Sequence, residues 1–463
     1  MAEKTLTKKE LERLSKELLH KRVHGMRAIS AKEEEACEGY CHEYKAFLSK
    51  AKTEREAARE IASILGHSNI AFWQYREKAI CAYRPGKKGA QEGIRLICTH
   101  IDAPRLDLKM NPLYEDLDMA FLKTHYYGGI KKFHWLTRPL ALHGVVFLKD
   151  GQRVDITIGE QVDDPVFTIN DLLPHLASKV QGEKKIREAI PAEKLNVLFG
   201  GNPIKGPEDT KEAVKLNCLK ILKREYGIVE RDLISAELEI VPQGPPRDVG
   251  LDRAFVGGYG QDDRACAFAA LKALTDARTP EQPIMALFLD KEEIGSDGNT
   301  GAKSRLIELA LYEILRQEGA ELAPDTILRL FNSSKAISGD VTAGIDPDYM
   351  EVHEKHNDAH IGYGVNLTKY TGARGKYSAN DAHAEMVNWV TRVWDRKKVV
   401  WQAGELGRVD EGGGGTVAKY IAALGIDTVD AGPPLLSMHS PFEIAHKVDL
   451  YMTYKAYRAF FEG

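Results

Sequence analysis

The chain has 463 residues, of which 43% are hydrophobic and 29% charged, with a formal net charge of -4. That length exceeds what a single hydrophobic core sustains, so two domains are expected. The near-neutral balance argues against a nucleic acid or a membrane surface as partner, and no apolar run reaches the roughly 18–20 residues of a bilayer span.

The opening Met1–Glu10 stretch has no apolar h-region of the kind a secretory signal needs. Six cysteines are scattered over the chain, too few for a disulfide scaffold. Both observations lead to the expectation of a cytoplasmic protein. Three capping boxes, Thr7-x-x-Glu10, Ser30-x-x-Glu33 and Thr53-x-x-Glu56, open helical runs, the last ending at Gly66. Cys37 and Cys41 lie four apart on the second run. No other Cys or His pair lies at zinc-finger distance, so they read as thiols rather than metal ligands.

A β-rich stretch over 70–84 and a short apolar run, Ile94-Arg95-Leu96-Ile97-Cys98, follow. From about 104 to 247 the character changes. Asp150-Gly151 between the runs 144–148 and 154–158 signals a hairpin. One helix is expected near 208–226, then a strand over 236–241, then a Pro-rich linker over 242–246. Residues 104–247 therefore read as a β-rich domain inserted into a host made of 1–103 and 248–463. After 253, strands are expected at 284–289, 327–331, 361–369, 398–401 and 427–430. Helices are expected near 262–276, 301–318, 378–396, 414–424 and 441–461. This alternation predicts an α/β layer architecture with a mixed or mostly parallel sheet.

The chemistry-bearing residues sit at strand ends. His100-Ile101-Asp102 follows the apolar run at 94–98. If the strand continues, both side chains project to one face, His100 as a metal ligand and Asp102 as acceptor of the other ring N–H. Asp262-Asp263-Arg264 follows a Gly-rich stretch and opens a helical run, where an N-cap Asp is the ordinary reading. Glu292-Glu293-Ile294-Gly295-Ser296 follows the strand at 284–289, at the carboxyl edge where open α/β sheets place their sites. Ser338-Gly339-Asp340 and Ser437-Met438-His439-Ser440-Pro441 complete the set. In the latter, Ser440, Pro441 and Glu443 read as a capping box.

Each residue alone has a plain structural explanation; the ordered set does not. His100, His439, Asp262, Asp340 and Glu293 offer two neutral imidazoles and three carboxylates, which suit two divalent ions sharing one carboxylate, best supplied by Asp262. Imidazole with carboxylate favours zinc, with cobalt or manganese as the alternatives. A divalent ion lowers the pKa of water toward about 7. Glu292, left uncoordinated, then serves as general base and passes the proton to the leaving amine. The second ion holding a free α-amine would make the enzyme an exopeptidase.

Read in order, His-x-Asp, Asp-Asp-Arg, Glu-Glu-Ile-Gly-Ser, Ser-x-Asp and Met-His-Ser resemble the M18 family of aminopeptidases, the aspartyl aminopeptidase group. Thr99–Lys109 and His125–Lys132 look closest to bacterial members. The resemblance implies a three-layer metallopeptidase domain with mixed sheet, an inserted β-rich dimerisation domain, and a tetrahedral homododecamer. It assigns His100, Asp262 and Asp340 to one metal, Asp262, Glu293 and His439 to the other, and the base to Glu292. Lys369 falls where the family has a substrate-contacting Lys. Gly414, Gly415 and Thr416 fall in the loop that approaches the peptide.

The chain departs from the pattern in three places. Asp263 stands where the family often has Asn, leaving open which Asp bridges. Thr342 stands where a His is common. His134 is one position out of register with the His that reaches a neighbouring subunit in eukaryotic members. Preference for N-terminal Asp or Glu is therefore an expectation of the resemblance alone. Two other readings remain: a two-metal N-acyl amino acid deacylase or carboxypeptidase, and an assembly scaffold without catalysis.

Overall fold

The structure, a computed structural model, describes residues 6–68, 70–320 and 322–463. Its centre is an eight-stranded mixed sheet, ordered Ala71–Tyr75, Ala79–Arg84, Ile284–Leu289, Arg95–His100, Lys335–Gly339, Asp427–Gly432, Val365–Thr368 and Trp401–Ala403. The four strands from Ile284–Leu289 to Asp427–Gly432 are mutually parallel. They end together, with Leu289 opposite His100 and Gly339 opposite Ala431. Parallel strands covered on both faces need apolar residues at every position. Ile284–Leu289 meets that demand, with all six side chains buried.

Alternate strand residues face opposite layers. Ile97, Ala286, Phe288 and Ile337 pack with Tyr44, Phe268, Trp394 and Phe460, on helices Ala31–Lys50, Gln261–Asp276, Ala384–Arg396 and Lys447–Glu462. Leu96, Cys98, Met285 and Leu287 pack with Leu311, Phe331 and Ile421, on helices Leu306–Gln317, Thr326–Ser333 and Ala418–Ala423. Helices thus cover both faces, making three layers. Each large apolar side chain so buried contributes about 1.5–3 kcal/mol.

Two further sheets complete the molecule. A five-stranded sheet joins Arg247–Val249, Phe255–Gly258, Glu443–His446, Pro434–Leu436 and Thr342–Ala343. A six-stranded sheet joins Arg153–Ile158, Leu140–Phe147, Glu237–Pro242, Arg105–Asp116, Met119–Tyr127 and Asn196–Gly200, over its own core, which includes Trp135, Leu140, Val197 and Ile240. The hairpin at Asp150-Gly151 is present, pairing Leu142–Phe147 with Arg153–Ile158.

All three capping boxes form. The six cysteines are free and buried. Among the described residues no helix is long and apolar enough to cross a membrane.

Four expectations need correction. Residues 327–331 are helical, within Thr326–Ser333. The strand Lys335–Gly339 fell in no expected strand. The last helix starts at Lys447, capped by His446, and not at Pro441. Glu443 instead belongs to a strand, so the Ser440–Glu443 capping box does not exist. Its carboxylate is drawn into the core by three backbone N–H groups described below.

Candidate metal centre

The carboxyl edge of the parallel strands carries the site. His100 is the last residue of its strand, Asp340 directly follows Gly339, and Glu292 and Glu293 form a tight turn after Leu289. That turn is closed by Gly295 N–H to Glu292 O at 2.8 Å and Ser296 N–H to Lys291 O at 2.7 Å. The five-stranded sheet supplies the rest: Phe255–Gly258 leads into Asp262, and Pro434–Leu436 leads into His439.

These side chains meet in one place. His100 Nε2 lies 3.2 Å from Asp262 Oδ1 and 3.9 Å from Asp340 Oδ1. His439 Nε2 lies 3.0 Å from Asp262 Oδ2 and 3.6 Å from Glu293 Oε1. The two oxygens of Asp262 therefore face different imidazoles. Among the described residues two triads have mutual ligand reach, His100–Asp262–Glu293 and His100–Asp263–Asp340. Asp263 differs from Asp262 in its aim, since its Oδ2 accepts the His100 backbone N–H at 3.3 Å.

Asp102 lies beyond the strand end, yet it still meets His100. Nδ1 of His100 is 3.3 Å from Asp102 Oδ1 and 3.2 Å from its carbonyl oxygen. The same carboxylate accepts the backbone N–H of Glu292 on Oδ1 and of Glu293 on Oδ2, each at 3.2 Å, and the Tyr127 hydroxyl on Oδ2 at 2.8 Å. On the other side, His439 Nδ1 lies 2.9 Å from the Gly129 carbonyl oxygen. A proton held on each Nδ1 leaves both Nε2 atoms free to ligate.

The electrostatics describe a donor set short of cations. Burial pushes the Glu293 and Asp340 carboxyls well above the usual range, with neighbouring carboxylates adding to it. Burial raises Glu292 to about 7, against the pull of His100. Burial opposes charge on His439, yet Asp262 and Glu293 hold it up at about 10. Glu293 Oε1 is buried without a hydrogen-bond partner. Crowded carboxylates and imidazoles of this kind fit divalent ions, which would replace the protons the cluster otherwise needs.

A cavity of about 590 Å³ opens over the cluster, lined by Asp262, Glu292, Glu293, Asp340 and His439, and by Gly414, Gly415, Thr416 and Lys419. Thr416 donates its hydroxyl to buried Asp430 at 2.7 Å, which ties down the glycine-rich loop. Lys369 does not line the cavity and is exposed. Thr368, ending its strand, takes the inward place, and the next side chain turns away. Lys419 is the one Lys or Arg on the wall among the described residues.

Among the groups that the sequence does not mark are Glu443 and the Gly129 carbonyl. Glu443 accepts backbone N–H groups of Gln261 at 2.6 Å, Asp262 at 3.2 Å and His439 at 2.7 Å. It pins both metal-side loops of the small sheet. A buried Glu in a short strand leaves no signature in a single sequence. The Gly129 carbonyl leaves none either, since any residue carries one.

Similar proteins fall in one family. Residues 44–461 match the family model described as aminopeptidase I zinc metalloprotease (M18). A probable M18 family aminopeptidase 1 of Thermotoga maritima is 50% identical over 445 residues, covering 93% of this chain and 97% of that protein. The crystal structure of an M18 aminopeptidase from Thermotoga maritima superposes with a TM-score of 0.92 at 49% identity, covering 96% of this chain and all of that one. Aminopeptidase I from Clostridium acetobutylicum gives a TM-score of 0.90 at 37% identity, covering 96% and 100%. With a zinc-type donor cluster at the carboxyl edge of its sheet and this likeness over nearly its whole length, the chain belongs to the M18 family of metalloaminopeptidases, hydrolases of peptide bonds.

Proposed function

We propose that the chain removes N-terminal residues from peptides, using two divalent ions held by five side chains. The observation that carries this reading is the pair of Asp262 oxygens, one 3.2 Å from the His100 imidazole and the other 3.0 Å from that of His439. A carboxylate so placed could serve two divalent ions at once. His100, Asp340 and Asp262 would hold one ion; Asp262, Glu293 and His439 would hold the other. Zinc suits this mixture of imidazole and carboxylate, and the family description names it. When bound, the ions supply Lewis acidity toward the peptide carbonyl and lower the pKa of water.

The remaining residues position and move protons. Asp102 fixes the His100 tautomer through Nδ1 and holds the Glu292-Glu293 turn by its backbone. Glu292, on the cavity wall, takes a proton from the attacking water and returns it to the leaving amine. Gly414, Gly415 and Thr416 offer backbone and hydroxyl groups to the substrate. We assign preference for acidic N-terminal residues to the Lys419 ammonium, the one Lys or Arg on the cavity wall among the described residues. Segment 104–247 acts as an inserted dimerisation domain, and the chain assembles as a homododecamer in the cytoplasm. Exposed Val162, Val166, Leu172, Leu173 and Leu176 support an assembly surface there. A yeast mApe1 of the same fold, at 21% identity, is a dodecamer.

Glu292→Gln tests the mechanism. It should keep its zinc content and lose kcat by about 10²–10⁴-fold, the usual share of a general base. Full turnover in that variant removes Glu292 from the mechanism. A panel of dipeptides differing in the first residue tests the preference, and equal kcat/KM for Asp and Leu ends it.

A further inference from the structure

Three consecutive residues leave the six-stranded sheet and lie against the metal centre. Tyr127 ends the strand Met119–Tyr127, and its hydroxyl donates to Asp102 Oδ2 at 2.8 Å. Gly128 follows with φ +71, a conformation that favours glycine, and a Cβ there would lie 3.2 Å from Glu293 Oε2. At Gly129 the carbonyl oxygen lies 2.9 Å from His439 Nδ1, and a Cβ would lie 3.3 Å from that nitrogen. One residue touches the carboxylate behind His100, and the next two touch the ligands on the opposite side.

The geometry points to Tyr127-Gly128-Gly129 as a wall of the metal centre itself, with the Tyr127 hydroxyl as a positioning group that acts through Asp102. This rests on the two-metal reading of the site. The Asp102 carboxylate has four donors around it: His100, the Glu292 and Glu293 backbones, and Tyr127. The first three belong to site residues themselves: two ligands, His100 and Glu293, and the proposed base, Glu292. Tyr127 is the donor anchored elsewhere, because Arg105 stacks on its ring at 4.0 Å and is itself paired with Glu54 at 3.3 Å and Glu239 at 3.0 Å. The hydroxyl therefore fixes which way the carboxylate faces. That orientation sets the His100 ring and the Glu292–Glu293 turn together.

Tyr127→Phe keeps the stacked ring and removes only the hydroxyl. Zinc affinity, measured by chelator competition on metal-free enzyme, should weaken about 10–100-fold, with kcat falling by a similar factor. KM should stay within about two-fold, because ground-state contacts are untouched. The thermal midpoint of the metal-free protein should stay close to that of Tyr126→Phe, a control at an exposed neighbouring position. In an Asp102→Asn background, Tyr127→Phe should add less than about a two-fold further loss, as expected for groups that act as one unit.

Gly129→Ala, which crowds the His439 ring, should also weaken zinc. Wild-type zinc affinity and kcat in Tyr127→Phe would overturn the proposal while the site reading stands. So would a full additional loss in the Asp102→Asn background. Wild-type protein that binds no zinc, or Asp102→Asn with unaltered zinc affinity, would instead sink the site reading and this proposal with it.

Discussion

Asp262 presents Oδ1 to His100 and Oδ2 to His439, whereas Asp263 turns Oδ2 to the His100 backbone N–H. The two adjacent acids thus answer different needs. Asp263 supplies an acceptor to a buried N–H, and an amide oxygen can do the same. Asp262 needs two anionic oxygens at once, which an amide cannot offer. If Asp262 bridges two ions as proposed, Asp262→Asn should lower the bound zinc per chain and abolish turnover. Asp263→Asn should keep both ions, with kcat within about tenfold of wild type, or about 1.4 kcal/mol. Metal analysis beside steady-state kinetics decides between them. The reverse pattern would make Asp263 the bridge.

At the scale of elements, Glu443 joins two loops that the chain separates by 176 residues or more, one holding Gln261 and Asp262 and the other His439. Burial and the nearby Asp262 raise its carboxyl to about 8, even though three N–H groups favour the anion. Glu443→Ala would leave those N–H groups buried without partners, at about 1–3 kcal/mol each. The urea midpoint of the metal-free protein should fall by the equivalent of about 3 kcal/mol or more, and a loss below about 1 kcal/mol would refute the bracing role.

The same element marks the limit of reading from sequence. Ile284–Leu289 was legible from end to end, because six apolar residues between Pro283 and Asp290 fit a buried strand and little else. The run at 327–331 was not. In Thr326–Ser333, Ile327, Leu330 and Phe331 are buried and Leu328 is exposed, a helical spacing that five residues cannot distinguish from a strand. Lys335–Gly339 has only Ala336 and Ile337 as apolar residues, and it is a strand because Arg95–Cys98 and Asp427–Ala431 flank it. The candidate ligands stand out by residue type at strand ends. Their meeting depends on the parallel order of those strands, and that order is not written in any one of them. The Glu443 carboxylate serves backbone N–H groups of distant loops, and Gly129 offers only a backbone carbonyl, so residue type does not mark either role.

At the scale of the whole molecule, the seam between the central and six-stranded sheets is polar. Arg105 reaches Glu54 and Glu239, Lys78 reaches Glu54 at 2.8 Å, and Lys52 reaches Glu160 at 3.7 Å. His143, on the six-stranded sheet, lies in the same seam. Its Nδ1 is 2.8 Å from Glu56, in the capping box of helix Glu54–His67, and its Nε2 is 3.1 Å from Glu160. Burial would lower the pKa of this ring, but hydrogen bonds to Glu160 and Glu56 outweigh it and raise the value from 6.5 to about 8. The folded chain thus holds a proton that the unfolded chain releases earlier. This contribution is fully present below about pH 6.5 and is lost as the pH rises through about 8. A shift of that size corresponds to about 2 kcal/mol. Wild-type stability should therefore fall between about pH 6.5 and 8.5 by that amount more than in His143→Gln, which keeps a hydrogen-bonding side chain but does not titrate. Urea unfolding of both proteins across this range measures the difference. Parallel pH profiles would show that the charge on His143 does not hold the seam.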